Sequence, residues 1–200
     1  MKDNLLIIFY RNPQLGKVKT RLAATVGDEK ALAIYLKLSA HTRDVALQTN
    51  CDRVIYYSNH VNTDDNWSNN SFSKQVQVGN DLGNRMCHAF EKAFQDGYAQ
   101  VCIIGTDCLE LTSEILSAAV DKLKTHDAVI GPARDGGYYL LGMNQLYPKL
   151  FIDKEWSTDT VAARTIVDFE NLKLTYYQLP ILTDVDEEKD LPIQLKDILN

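Results

Sequence analysis

The sequence predicts a three-layer α/β/α fold around a mostly parallel, Rossmann-like sheet, built as a single domain over residues 1–200. Three observations predict it. Short apolar runs alternate with segments of helical spacing along the whole chain. Several runs are apolar at consecutive positions, as in strands covered on both faces. The polar, glycine-bearing and charged segments fall just after these runs, at the strand ends.

Leu5 to Tyr10 is the first strand, and it breaks at Asn12-Pro13. After Gly27, residues Asp28 to Gln48 place Leu32, Tyr35, Leu38 and Val45 on one helical face, which crosses over to a second strand at Arg53 to Tyr57. Asn59 to Ser73 is rich in Asn, Ser and Asp and reads as a loop with little order of its own, either a lid or an insertion. Lys74 to Val78 is a short strand. Leu82, Met86, Ala89, Phe90 and Ala93 mark a helix that ends at Gly97, and Val101 to Ile104 follows as the most buried strand.

Thr112 caps the next helix, through Ile115, Leu116, Ala119 and Leu123. Strands are expected at Ala128 to Ile130 and at Tyr139 to Leu141. Ser157 is the expected cap of a helix through Val161, Ile166 and Phe169, followed by a strand at Leu174 to Leu179 and a terminal helix through Leu191, Leu195 and Ile198. A reversed edge strand is expected late in the chain.

Composition narrows the classes of partner. The chain has 200 residues, 45% of them hydrophobic and 24% charged, enough for one buried core. A net charge of −6 gives no overall field for nucleic acid or an anionic membrane. The apolar run Leu5 to Tyr10 is too short for a signal-peptide core or a membrane span, so no membrane partner is expected. The four cysteines show no C-x-x-C pair or disulfide framework, and a reducing cytoplasm is the simplest setting.

In an open α/β sheet the ligand lies outside the carboxyl ends of the strands, and four segments there carry chemistry. Arg11 to Arg21 holds four cations in eleven residues, Arg11, Lys17, Lys19 and Arg21, around Pro13 and Gly16. Such a loop suits phosphate oxygens, through guanidinium forks and ammonium point charges, although a solvated basic loop has the same composition. It is neither a Walker A loop nor a G-x-G-x-x-G loop. Asp107 ends the apolar strand beside Gly105, where a carboxylate is placed to hold Mg²⁺ or Mn²⁺; the alternative is a helix cap.

Asp135-Gly136-Gly137-Tyr138 combines an acid with two glycines that let a ligand approach the backbone. Asp135 can accept a proton or bind a sugar hydroxyl, and an Asp-Gly hairpin turn is equally consistent. In Thr183-Asp184-Val185-Asp186, the alternation can turn Asp184 toward a metal and leave Asp186 to cap the last helix. Asp81 and Arg85, one helical turn apart, either pair on the surface or face the site. Trp156 either offers an aromatic face to a sugar or base, or staples a helix to the core. The four histidines show no ligand spacing.

The segments Phe9 to Pro13, Gly16 to Leu22, Gly79 to Met86, Ile104 to Cys108, Gly131 to Tyr139 and Trp156 to Thr158 resemble a bacterial family of small GT-A-fold proteins, glycosyltransferases of the arsenosugar-biosynthesis type. More distantly, the architecture and Asp184-Val185-Asp186 with Asp190-Leu191 are similar to guanylyltransferases of molybdenum-cofactor and phospholactate metabolism. Those enzymes begin with a glycine-rich loop where this chain has Pro13 and Leu15. The D-x-D motif of GT-A enzymes is reduced here to Gly105-Thr106-Asp107.

The resemblance implies a nucleotide-diphospho-sugar transferase fold and sugar transfer from a nucleotide-sugar donor to a small-molecule acceptor. It implies Mg²⁺ or Mn²⁺ at Asp107; with the segments read above, the expected site adds Asp184 as a second metal ligand, Arg11, Lys17, Lys19, Arg21 and Arg85 on phosphate, and Asp81, Gly136, Gly137, Tyr138 and Trp156 on substrate. Asp107, through the metal, and Asp135, as the acceptor-side base, are the expected catalytic residues. Nucleotidyl transfer with pyrophosphate release is the alternative activity, and a nucleotide-binding module without catalysis is the non-enzymatic one. Donor base, sugar, acceptor, stereochemical outcome and oligomeric state lie beyond the sequence.

Overall fold

Seven strands, β1 (Lys2–Tyr10), β2 (Asp52–Tyr57), β3 (Ser73–Val76), β4 (Tyr98–Ile104), β5 (Ala128–Pro132), β6 (Tyr138–Met143) and β7 (Tyr176–Gln178), form one sheet in a computed structural model that describes residues 2–199. The order is β3-β2-β1-β4-β6-β5-β7, and every pairing is parallel except those of β6. The chain runs outward from β1 to β3 and then returns to place β4 on the other side of β1. That reversal opens a crevice at the carboxyl ends of β1 and β4, where ligands bind in folds of this kind.

The helices are α1 (Thr20–Val26), α2 (Asp28–Leu47), α3 (Leu82–Gln95), α4 (Ser113–Lys122), α5 (Val161–Asn171) and α6 (Ile193–Lys196). Alternate side chains of β1 explain the three layers. Leu6, Ile8 and Tyr10 pack with Tyr35 and Val45 of α2 and Leu116 of α4. Leu5 and Ile7 pack on the other face with Phe90 of α3 and Phe169 of α5. A smaller cluster, Leu22, Ile34, Leu38, Val185 and Leu195, joins α1 and α2 to the C-terminal segment. Among the described residues no helix is long and apolar enough to cross a membrane. The four cysteines are free thiols.

The strands and the helices α2, α3 and α4 fall where the hydrophobic spacing puts them, with Thr112 capping α4 by accepting from Ile115 N–H at 3.4 Å. Five expectations need correction. The reversed strand is β6, and it lies inside the sheet between β4 and β5 rather than at an edge. The hairpin turn at Asp135-Gly136 folds β6 back beside β5, and β4 takes up its other side. The basic loop, expected to run to Arg21, ends earlier, and Thr20–Val26 form α1.

Helix α5 begins at Val161 with Thr160 before it, and Ser157 lies in a left-handed turn. Its first-turn Ala162 N–H donates to Gly136 O at 2.9 Å, so the hairpin turn satisfies it in place of a side-chain cap. The terminal helix is reduced to α6 because Pro192 interrupts it, with single 3₁₀ turns on either side. Finally, residues 59–72 are irregular but anchored, and Ser73 already belongs to β3. Trp67 and Phe72 are buried edge to face, and Trp67 packs on Tyr10. Asp65 accepts from Tyr57 OH at 2.5 Å and pairs with Lys74 at 2.8 Å.

Candidate active site

A groove of about 770 Å³ opens at the carboxyl ends of β1 and β4, bounded by the starts of α1, α3 and α5, the β5–β6 turn and the segment 184–186. β1 delivers Arg11 to it. The Tyr35 hydroxyl fixes the backbone there, accepting from Arg11 N–H at 3.0 Å and donating to Arg11 O at 2.7 Å. The next residue, Asn12, is buried; its side-chain oxygen accepts from Asn59 N–H at 3.0 Å and its amide donates to His60 O at 3.0 Å. The end of β1 is thereby tied to α2 on one side and to the loop after β2 on the other.

β4 delivers Asp107. Beyond β7 the chain runs back along the sheet end, with Arg134 N–H donating to Leu182 O at 2.9 Å and Val185 N–H to Asp107 O at 2.9 Å. Cys108 and Asp184 form an antiparallel bridge. This crossing sets Asp184 beside Asp107. Burial first, and then the charges of Asp107 and Asp135, push the Asp184 carboxyl up to about 7, with Lys19 opposing them. Cys108 also lines the groove, and burial pushes its thiol up to about 12, which favours the protonated form.

The cations divide. Arg11, Lys19, Arg21 and Arg85 line the groove, whereas Lys17 is exposed and outside it. Lys19 is the most deeply placed, with a side chain 5% exposed, and its ammonium contacts Asp107 at 2.8 Å and Asp186 at 3.1 Å. Burial alone would lower its pKa, but the two carboxylates outweigh that and the net shift is upward. Asp186 therefore faces Lys19 and Arg21 (3.6 Å) and does not cap the last helix. Glu187 caps the following 3₁₀ turn instead, reciprocated by Asp190.

Arg85 donates through Nε to Gly79 O at 3.0 Å and makes no ion pair with Asp81. Asp81 lies outside the groove and caps α3, accepting from Asn84 N–H at 2.8 Å. Asp135, Gly137, Tyr138 and Trp156 also line the groove. Asp135 Oδ1 accepts from Gly137 N–H at 2.9 Å inside the hairpin turn, so the acid is both turn residue and groove residue. Gly136 is turned away, packed so closely on the Asp159 carbonyl that a Cβ there would overlap it. Trp156 lies against Gly83 at the start of α3, where any side chain would collide with the indole.

Sequence spacing missed Tyr35 and Asn12. Tyr35 sits on the buried face of α2, and a buried phenol that finds a partner is the signal that marks it.

The donor set suits a hard divalent cation. Asp107 and Asp184 offer carboxylate oxygens, and a cation of the chain itself already rests on Asp107. Among the described residues no group of three or more His, Cys, Asp or Glu side chains is arranged as a cage. Mg²⁺ and Mn²⁺ bind readily through one or two carboxylates, with water and phosphate oxygens completing the shell.

The profile of a family described as "Uncharacterized protein conserved in bacteria (DUF2064)" matches residues 41–158. No curated protein matches the chain. A Desulfovibrio desulfuricans protein of known structure, provisionally named a nucleotide-diphospho-sugar transferase, is 34% identical over 94% of this chain and 84% of its own, with a TM-score of 0.87. A cytidylyltransferase from Leptospira borgpetersenii is 18% identical over 92% of this chain and 78% of its own, with a TM-score of 0.58. A Mycobacterium tuberculosis protein solved in complex with manganese is 11% identical over 95% of this chain and 96% of its own, with a TM-score of 0.57. The last two share the fold.

Proposed function

We propose that this chain, which belongs to the DUF2064 family, transfers a sugar from a nucleotide diphosphate donor to a small acceptor with the help of Mg²⁺ or Mn²⁺. The observation that carries the proposal is the meeting of Arg11, Arg21 and Arg85 with Asp107 and Asp184 in one groove at the carboxyl ends of β1 and β4. The name given to the 34% identical Desulfovibrio relative supports the same class of donor. Within that class, the motif resemblance favours the arsenosugar-biosynthesis glycosyltransferases. A cytoplasmic setting fits the free thiols.

Arg11, Arg21 and Arg85 bind the diphosphate oxygens by charge-assisted hydrogen bonds. Asp107 and Asp184 would hold the divalent ion, which when bound would supply Lewis-acid neutralisation of the diphosphate charge. Cleavage of the sugar–phosphate bond adds negative charge to the leaving group, so the three guanidinium groups act most strongly in the transition state. Asp135 accepts the proton of the acceptor hydroxyl, with its carboxylate aimed by the Gly137 N–H. Tyr138 and Trp156 wall the apolar side, where a sugar or acceptor ring stacks.

The test is product analysis by ³¹P NMR with a panel of sugar nucleotides and, separately, nucleoside triphosphates, each with Mn²⁺. Free nucleoside diphosphate from a sugar nucleotide is the expected product. Asp107→Ala lowers its formation by ~10²-fold, the scale of losing one preorganised charge-stabilising group. An unchanged rate in that variant removes Asp107 from the mechanism. Nucleotidyl transfer is the second reading, favoured by the fold shared with the cytidylyltransferase, and pyrophosphate release from a triphosphate would replace the first with it.

A further inference from the structure

We propose that Lys19 couples metal binding to diphosphate binding: its ammonium occupies Asp107 in the free protein and leaves for a phosphate oxygen when the diphosphate arrives, opening Asp107 to the divalent ion. The inference rests on the diphosphate reading above and assigns Lys19 a part in it that simple charge neutralisation does not contain.

Three features carry it. First, Lys19 makes the one ion pair of Asp107 among the described residues, at 2.8 Å. The lysine side chain is 5% exposed and that of Asp107 41%, so a metal approaching the inner oxygen, Oδ1, meets a cation already on it. Second, Lys19 stands just before α1 with φ 48° and ψ 46°, a left-handed conformation uncommon for a residue with a Cβ. This geometry turns the side chain inward while Lys17, two residues earlier, stays in solvent.

Third, the two carboxylates that hold Lys19 are unequal. Asp186 also has Arg21 at 3.6 Å and keeps a counter-charge when Lys19 moves; Asp107 does not. The ion that takes the place of Lys19 on Asp107 restores that charge, and the flexible four-carbon stem lets the ammonium swing to a phosphate without backbone movement. Metal and diphosphate thus each remove the obstacle to the other. Linkage requires the effect to be reciprocal, and couplings of this kind typically amount to about 5–150-fold in affinity.

The experiment is titration of Mn²⁺ followed by EPR of the free ion, on the full chain as wild type, Lys19→Met and Lys19→Arg. It is run with Mn²⁺ alone and with each common nucleoside diphosphate, after subtraction of chelation in protein-free solution. Wild type is expected to bind Mn²⁺ alone weakly and to gain about tenfold or more with diphosphate. Lys19→Met is expected to bind Mn²⁺ alone about tenfold more tightly than wild type and to lose that gain, with Lys19→Arg close to wild type.

Equal Mn²⁺ affinity in wild type and Lys19→Met, with diphosphate still bound by both, overturns the coupling and leaves the diphosphate reading standing. Absence of diphosphate binding to every form overturns that reading and the coupling with it. Lys19→Gln, which retains a hydrogen bond to the carboxylates, serves in place of Lys19→Met if the latter does not fold, with the same outcomes.

Discussion

The hydroxyl of Tyr35 engages both main-chain polar groups of Arg11, accepting from the N–H at 3.0 Å and donating to the carbonyl at 2.7 Å. One phenol on α2 thereby does for the end of β1 what a further strand residue would do, and it fixes where the Arg11 side chain leaves the backbone. Tyr35→Phe keeps the ring and removes both bonds. Leaving part-buried backbone groups unsatisfied costs about 1–3 kcal/mol. Urea unfolding should show a loss on that scale, and nucleoside diphosphate affinity should fall by about tenfold. An unchanged dissociation constant would mean that the Arg11 backbone needs no such clamp.

Gly136 and Gly97 share φ 89° but differ in surroundings: a Cβ at 136 would overlap the Asp159 carbonyl, and one at 97 would meet nothing within 4 Å. Gly97→Ala therefore carries only the left-handed backbone cost, about 1–2 kcal/mol. Gly136→Ala adds a steric term of about 1–3 kcal/mol, because the β5–β6 turn and the start of α5 must separate. Equal losses in the two variants would show that the contact between turn and helix is slack.

The basic loop looks uniform in sequence, yet its cations should behave differently. Lys17 is exposed and outside the groove, while Arg21 lines it. Lys17→Ala should leave nucleoside diphosphate affinity within about twofold of wild type, as expected of a solvated surface charge. Arg21→Ala should weaken it by about tenfold or more, on the scale of a lost charge-assisted hydrogen bond. Calorimetric titration of both variants checks the contrast, and equal losses would return Lys17 to the site.

The metal-free protein should grow less stable as pH rises through the range set by Asp184. Burial, then Asp107 and Asp135, raise its carboxyl from 3.8 to about 7. Between those values the unfolded chain has released a proton that the native chain keeps, so the native state loses ground until both are ionised above about 7. Asp184→Asn lacks this titration. In the presence of a chelator, its Tm relative to wild type should rise from pH 5 to pH 8. A constant difference across that range would show that Asp184 is ionised in the native state already at low pH.

How much of this was legible in the sequence depends on what each feature requires. Consecutive apolar residues such as Leu5 to Tyr10 and Val101 to Ile104 announce buried strands whatever their neighbours, and Arg11 and Asp107 are found by their place just beyond the strand ends. The reversal was half legible in the Asp135-Gly136 turn, but the place of the reversed strand leaves no mark, because Tyr138 to Met143 is equally apolar at an edge or between β4 and β5. Helix α1 was hidden by its short length and by the basic loop that runs into its first turn at Arg21.

Isolated aromatics among polar residues, Trp67 and Phe72, gave no periodicity, although they anchor the loop that carries them. Within the site, charge type was legible and pairing was not. Lys17, Lys19 and Arg21 are alike as letters, and only the left-handed turn at Lys19 sends one of them inward to Asp107. The neighbours of Asp107 come from Lys19, just before α1, and from the C-terminal crossing at Asp184 and Val185, contacts across the chain that no local spacing encodes, whereas Asp135 is held within its own turn by Gly137.

Binding of a nucleotide diphosphate together with a divalent ion in the groove should show in the thermal stability of the protein against sugar nucleotides, nucleoside diphosphates and nucleoside triphosphates, each with and without Mn²⁺. A ligand that binds the native state at a hundred times its dissociation constant adds about 2.7 kcal/mol and raises Tm accordingly. Such a rise is expected with one sugar nucleotide and its diphosphate, dependent on Mn²⁺ and lost in Asp107→Ala. A rise with a triphosphate alone would contradict sugar transfer, and no rise with any nucleotide would contradict the nucleotide site itself.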